Sequence, residues 1–219
     1  MVEIGRRLYA QGLIVAAEGN ISARLSDGNI LVTPAGMCKG LMKPSDLVVV
    51  DPSGLKRLGA RNASTELKMH LAVYAQRSDA GACVHAHAPY ATAFAVAGIP
   101  LTDSVLPEVI TTVCSVPLAP YATPSTAAVG ESIAGFVDRF DAILLKNHGV
   151  LTLGSDLESA FRRMETVERF AQIVFLARTL GKVDTLAVDE VETLLELSRR
   201  MDPPKSLVGK RAGGDTSQN

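Results

Sequence analysis

Short strand-like runs and helical stretches interleave along this chain, without the strict alternation of a doubly wound parallel sheet. Ile21-Ser22-Ala23, Ile30-Leu31-Val32 and Leu47-Val48-Val49-Val50 are strand pieces, bounded by the turn residues Asp27-Gly28-Asn29, Pro34-Ala35-Gly36 and Asp51-Pro52-Ser53-Gly54. Ala82 to Ala86 is a further apolar strand, and Ser115 to Leu118 is a brief extended piece. Ala142-Ile143-Leu144-Leu145 and Val150-Leu151-Thr152-Leu153 read as two strands joined through Lys146-Asn147-His148-Gly149. Helices are expected over Val2 to Gln11 with Gly12 as the stop, and from Ser64-Thr65-Glu66 to about Arg77. Others run from Pro89 to Ala97, from Thr126 to Val137, from a Ser155 cap to about Leu180, and from Val188 to Arg199. Residues 1–201 form one α/β domain, and the Pro-, Gly- and Lys-rich residues 202–219 read as a mobile tail.

Composition excludes several classes. The formal net charge is -1, which gives no broad electrostatic footprint for nucleic acid or an anionic membrane. With no Trp, four Tyr and six Phe, platforms for base stacking are scarce. The longest apolar stretches, such as Ala91 to Ile99, are far shorter than a membrane span, and the first residues lack the layout of a signal peptide. Cys38, Cys83 and Cys114 are widely spaced and odd in number, so neither a disulfide framework nor a Cys-based zinc ribbon is visible. A reducing cytoplasm is the expected setting.

The four histidines carry the chemistry. His85 and His87 stand two apart on a predicted strand, so both rings project to one face while Ala86 points to the other. Two neutral imidazoles side by side can share one cation at about 2.0–2.1 Å; the plainer alternative is a pair of satisfied core or surface histidines. His148 sits in Asn147-His148-Gly149, where the glycine permits a positive φ or a close backbone approach. Three imidazoles together would form the open ligand set of a catalytic metal. Cys83 shares the strand face, but successive side chains on one face are about 7 Å apart, so it reads as a buried small hydrophobe. His70 follows Glu66 by one helical turn, which could make a metal pair; a helix-face histidine with a structural partner is the preferred reading.

Glu66 lies behind Ser64 and Thr65 in the first turn of its helix, where a carboxylate suits the helix dipole. A capping box is the alternative, although the spacing is shorter than that motif wants. The same hydroxyls and free amides suit a phosphate. Gly19-Asn20 and Ala35-Gly36 are two further turns able to aim backbone N–H groups at an anion.

Gly19-Asn20-Ile21-Ser22, Thr33-Pro34-Ala35-Gly36, Ser64-Thr65-Glu66, His85-Ala86-His87, Ala119-Pro120-Tyr121-Ala122-Thr123 and Asn147-His148-Gly149 together resemble the class II aldolase/adducin family, over roughly residues 2 to 200. The nearest branch looks like L-fuculose-1-phosphate aldolase. The resemblance implies a three-layer α/β/α sandwich around a mostly antiparallel β-sheet. It also implies a homotetramer with active sites at subunit interfaces. His85, His87 and His148 match the family's zinc ligands, and Glu66 matches its acid/base, which also ligates the metal when substrate is absent. Gly19, Asn20, Ala35, Gly36, Ser64 and Thr65 match the phosphate cradle. The implied activity is metal-dependent aldol cleavage of a small phosphorylated ketose to dihydroxyacetone phosphate and an aldehyde, through a zinc-stabilised enediolate. Manganese, cobalt or iron would suit the same ligands.

The sequence departs from that pattern in three places. Ala35 stands where the aldolase often has a hydroxyl residue, and no tyrosine follows Tyr121 to match one on that enzyme's C-terminal tail. Glu108 falls near the place of another interface tyrosine; it reads either as an additional acid/base or as a salt-bridge partner. An additional acid would suit a decarboxylase or dehydratase of a hydroxy-acid or sugar acid. A non-catalytic, adducin-like interaction module is the reading from another class, and the retained histidines and Glu66 speak against it.

Overall fold

The structure is a computed structural model that describes residues 1–199. The expected tail at 202–219, with the last two residues of the expected domain, lies outside the described residues. Eight strands among them, β1 (Asn20–Arg24), β2 (Ile30–Val32), β3 (Val48–Val50), β4 (Lys56–Leu58), β5 (Ala82–Ala86), β6 (Leu118–Ala119), β7 (Ala142–Leu145) and β8 (Gly149–Gly154), form one sheet. Their order is β4-β3-β2-β1-β5-β8-β7-β6, and every neighbouring pair is antiparallel except β6 with β7. The expected three-layer α/β/α sandwich around a mostly antiparallel sheet is what forms.

The layers follow from strand alternation. Ala82, Val84 and Ala86 of β5, with Leu144 of β7 and Val150 of β8, face a core closed by four helices. These are α1 (Val2–Ala10), α3 (Pro89–Ala97), α4 (Pro107–Thr112) and α6 (Leu157–Leu180). Cys83, Ile143, Leu145, Leu151 and Leu153 point the other way, onto α2 (Leu67–Gln76) and α5 (Ala128–Val137). With both faces covered, β7 and β8 are buried along their whole length, which is why they read as continuous apolar runs. Fully enclosed Phe161, Met164 and Ile143 each contribute about 1.5–3 kcal/mol by leaving water. No helix of the described residues is long and apolar enough to cross a membrane.

Several boundaries differ from expectation. The long helix is capped by Asp156, not Ser155: its side chain accepts from Ser159 N at 2.7 Å while Asp156 N donates to Ser159 Oγ at 3.1 Å, a reciprocal pair that Ser155 cannot make from its position. The second helix starts at Leu67, with Glu66 as its N-cap at φ -95° and ψ 10°, so Glu66 stands at the helix mouth instead of inside the first turn. The helix expected from Thr126 starts at Ala128, because Ser125 adopts φ 65°. Edge strand β4, whose three residues are exposed and include Lys56 and Arg57, has no apolar alternation to announce it. The one-and-a-half-turn α4 is too short for helical periodicity to show.

Candidate metal centre

Strand β5 ends between β1 and β8, with His85 opposite Asn20 on one side and Leu151 on the other. Alternation puts His85 on the α2 face behind Cys83, and His87 follows one step past the strand end. His148 enters from the β7–β8 turn. There the positive φ falls on Asn147, at 55°, and not on Gly149. Gly149 is needed for close approach: a Cβ on it would lie 2.6 Å from Ala86 O, 2.9 Å from His87 Cδ2 and 3.2 Å from His85 Cε1. The three rings therefore meet at the end of the sheet with centroids 4.7–5.2 Å apart, and one ligand nitrogen from each lies within 4.8 Å of the others.

Hydrogen bonding fixes which nitrogens face inward. His85 Nδ1 donates to the Val150 carbonyl at 2.9 Å, which leaves its lone pair on Nε2. Nε2 of His85 and of His87 are buried and have no hydrogen-bond partner. Glu66 joins them from the mouth of α2: Oε1 is 3.1 Å from His148 Nε2 and Oε2 is 3.4 Å from His85 Nε2. Asn20 Nδ2 donates to Oε2 at 2.8 Å. Burial opposes ionisation of Glu66, but the hydrogen bond with His148, the nearness of His85 and the Asn20 amide outweigh it and hold the carboxyl at about 2. Burial pushes His85 down to about 3 and lowers His87 as well. At neutral pH a carboxylate and two uncharged imidazoles thus aim unshared electron pairs at one small space. That is the donor set a divalent cation fits, with imidazole and carboxylate suiting zinc and also manganese, cobalt or iron.

Other expected residues are distributed unevenly around this point. Gly19, at φ 64°, is seated on the backbone of β5, where a Cβ would meet His85 O at 2.7 Å. Asn20 is buried and spends its amide on Glu66. The Ala35 N–H is engaged by the Asn62 carbonyl at 3.0 Å, so it is not free to aim at an anion as the turn suggested. Gly36 remains exposed with open space on its Cβ side. Ser64 and Thr65 lead into Glu66, whose N–H donates to Ser64 Oγ at 3.3 Å. Glu108 is not brought to the histidines within one chain: it is exposed on α4, in the helical layer opposite α2, beside a groove it lines with Gln11, Glu165 and Arg169. Cys83 stays outside the cluster, fully buried, with burial pushing its thiol up to about 12. His70 has a structural partner, Ser22 Oγ at 2.6 Å, which also contacts the Tyr74 hydroxyl at 2.7 Å.

Two charged residues were not singled out from the sequence. Glu18 Oε2 lies 3.6 Å from His87 Nδ1, the side of the ring turned away from the cluster. A carboxylate there orients the ring and raises its basicity. Lys39 is buried and its ammonium donates to Ala17 O at 2.6 Å. Glu18 could have been suspected from its place just before Gly19-Asn20; nothing near Lys39 in the sequence marks it.

Known proteins resemble this chain in sequence and fold. Residues 1–175 match the family described as Class II Aldolase and Adducin N-terminal domain. The chain is 34% identical over 200 residues to a 3-oxo-tetronate 4-phosphate decarboxylase of Pectobacterium atrosepticum, covering 89% of this chain and 90% of that one. It is 31% identical over 196 residues to a 5-methylthioribulose-1-phosphate/5-deoxyribulose-1-phosphate aldolase of Rhodospirillum rubrum, covering 90% and 88%. A solved structure of an L-fuculose 1-phosphate aldolase superposes with a TM-score of 0.84 at 32% identity, covering 90% of this chain and 93% of that one. The chain belongs to the class II aldolase and adducin family.

Proposed function

We propose that this lyase holds one divalent cation, zinc foremost, on His85, His87 and His148, and cleaves a small phosphorylated ketose such as L-fuculose 1-phosphate to dihydroxyacetone phosphate and an aldehyde. The observation that carries the reading is the ionised Glu66 carboxylate facing the three inward imidazoles. When bound, the cation supplies Lewis-acid stabilisation of the negative charge that builds up beside the carbonyl. Glu66 is the acid/base that returns a proton to that carbon, or removes it in the condensation direction. Asn20 holds Oε2 from behind, so the carboxylate keeps its aim while Oε1 gives up its contact with His148. Gly19, Gly36, Ser64 and Thr65 bind the phosphate, with Ala35 shaping the turn. A homotetramer with sites at subunit interfaces, in the cytoplasm, belongs to the same reading; a partner copy's α4 would then bring its Glu108 to a site that Glu108 of the same chain does not reach.

A decarboxylase of a related sugar acid is the second reading, favoured by the 34% identity to the Pectobacterium enzyme named for that reaction. Both outcomes need the same stabilised carbanion, one after loss of an aldehyde and the other after loss of carbon dioxide. A screen of phosphorylated ketoses and hydroxy-acids, following dihydroxyacetone phosphate and carbon dioxide in parallel, separates them. In the aldolase case Glu66→Gln with metal retained loses about 10²–10⁴-fold in kcat; undiminished cleavage would refute the role given to Glu66.

A further inference from the structure

Lys39 is the buried cation that this site has not used. Its residue is 2% exposed, and its ammonium reaches only the Ala17 carbonyl, at 2.6 Å. Among the described residues no carboxylate forms an ion pair with it. Burial lowers the basicity of the ammonium, and the Cys38 and Glu66 charges oppose that without any ion-pair contact, so a further anion nearby would hold the charge. Its backbone cannot retreat from this position. A Cβ on Gly5 of α1 would run into the Lys39 carbonyl, and one on Gly40 would meet the Tyr9 ring at 2.5 Å, so the 39–40 segment is pressed flat against α1.

The lysine joins the two glycine turns. It follows the Pro34-Ala35-Gly36 turn by three residues, and its ammonium ends on the turn that carries Glu18, Gly19 and Asn20. That second turn is itself strained and locked. Ala16 holds φ 47°, Glu18 N bonds back to Val15 O at 3.0 Å, and Gly19 rests on the His85 carbonyl. From it Glu18 reaches His87 and Asn20 reaches Glu66. One ammonium thus ties the segment that follows the Ala35–Gly36 turn to the turn whose residues touch the metal-facing groups.

We infer that Lys39 is a positioning residue for an anionic substrate group: it draws the Ala17–Asn20 turn and the Ala35–Gly36 turn together and supplies the positive charge beneath the phosphate they receive. This rests on the phosphate-binding part of the proposed function. The test uses the zinc-loaded full chain, titrated with inorganic phosphate by calorimetry, with zinc content and melting temperature measured alongside. Lys39→Met is expected to weaken phosphate binding about tenfold or more, the scale of one charge-assisted hydrogen bond, with zinc content unchanged. Lys39→Arg is expected to recover most of that loss. Equal phosphate affinity in wild type and Lys39→Met overturns the Lys39 assignment and leaves the phosphate pocket standing, whereas no phosphate binding by wild type removes the pocket and Lys39's role with it. Should the Met variant not fold, wild-type protein labelled with 13C at lysine Cε decides: the Lys39 signal, assigned by its loss in Lys39→Arg, shifts with phosphate occupancy, and a stationary signal refutes the inference.

Discussion

Replacing Gly149 with alanine puts a methyl group where three parts of the proposed site converge. The new Cβ would lie 2.6 Å from Ala86 O, 2.9 Å from His87 Cδ2 and 3.2 Å from His85 Cε1. The first of these is backbone, held in the β5–β8 ladder where Ala86 pairs with Val150. It cannot move without dragging β5, so several tenths of an ångström must come from separating the strands or turning the rings. Overpacking of this kind costs about 1–3 kcal/mol. For a chain of this size that is a fall in melting temperature of about 2–12 °C. The larger effect falls on metal affinity, because His85 Nε2 and His87 Nε2 would no longer share one centre, and ligand disturbance of that order costs about 10–100-fold. Calorimetric zinc titration of the chelator-stripped protein and thermal melts with and without zinc measure both. Wild-type stability together with wild-type zinc affinity in Gly149→Ala would refute the claim that the glycine is there for close approach.

The remaining predictions concern acid and the buried ion pair. In metal-free protein, burial holds His85 at about 3 and His70 at about 4, both below the ordinary histidine value of 6.5. The unfolded chain therefore binds more protons than the native one once pH drops beneath 6.5. Stability is full above that value and declines as pH falls toward the native values, by at most about 1.4 kcal/mol per pH unit for each histidine. Urea unfolding of metal-free protein from pH 7 to 5 should show this slope, and zinc, which binds unprotonated imidazole, should raise stability overall while making the slope steeper; a flat profile without metal would contradict the burial argument. Arg77 donates to Val137 O at 2.9 Å and to Asp141 Oδ1 at 2.8 Å, tying the end of α2 to the start of β7. Arg77→Met should cost about 3 kcal/mol, the lower end for a broken buried pair, since Arg163 still reaches Asp141 at 3.3 Å. Denaturant midpoints check it, and a loss below 1 kcal/mol would show that Arg163 suffices.

What could be read in advance was whatever the chain writes locally. The His85-Ala86-His87 period fixes a shared face as soon as Ala82 to Ala86 is a strand, and the apolar runs on either side of His148 delimit its turn. Contacts made by crossing elements left no local mark. Asn20 looked like a residue of an anion-binding turn, yet its amide serves Glu66, which lies on another element. The Ala35 N–H looked free, and only the course of the chain past Asn62 engages it. Lys39 and Glu18 gain meaning from the side-by-side placement of two turns, which depends on sheet order. Cap identity depended on which neighbour could return a hydrogen bond, so Asp156 with Ser159 prevails over Ser155.

The division of labour among the four metal-facing groups follows from the elements that carry them. His85 and His87 extend from β5, and His148 precedes β8, to which β5 is hydrogen-bonded along its length. His85 lies inside that ladder, which is buried on both faces, and His87 and His148 adjoin its end. Glu66 is different: it is an N-cap, outside every strand, held by side-chain contacts to Asn20, His85 and His148 and by a weak bond from its own N–H to Ser64 Oγ. Its side chain is also 14% exposed, so water and substrate can reach it. In the proposed function Glu66 handles a proton, and a group with that task has to be the least anchored of the set. Here one nitrogen donor lies within the paired strands and two adjoin their ends, whereas the one oxygen donor sits on an N-cap outside the sheet.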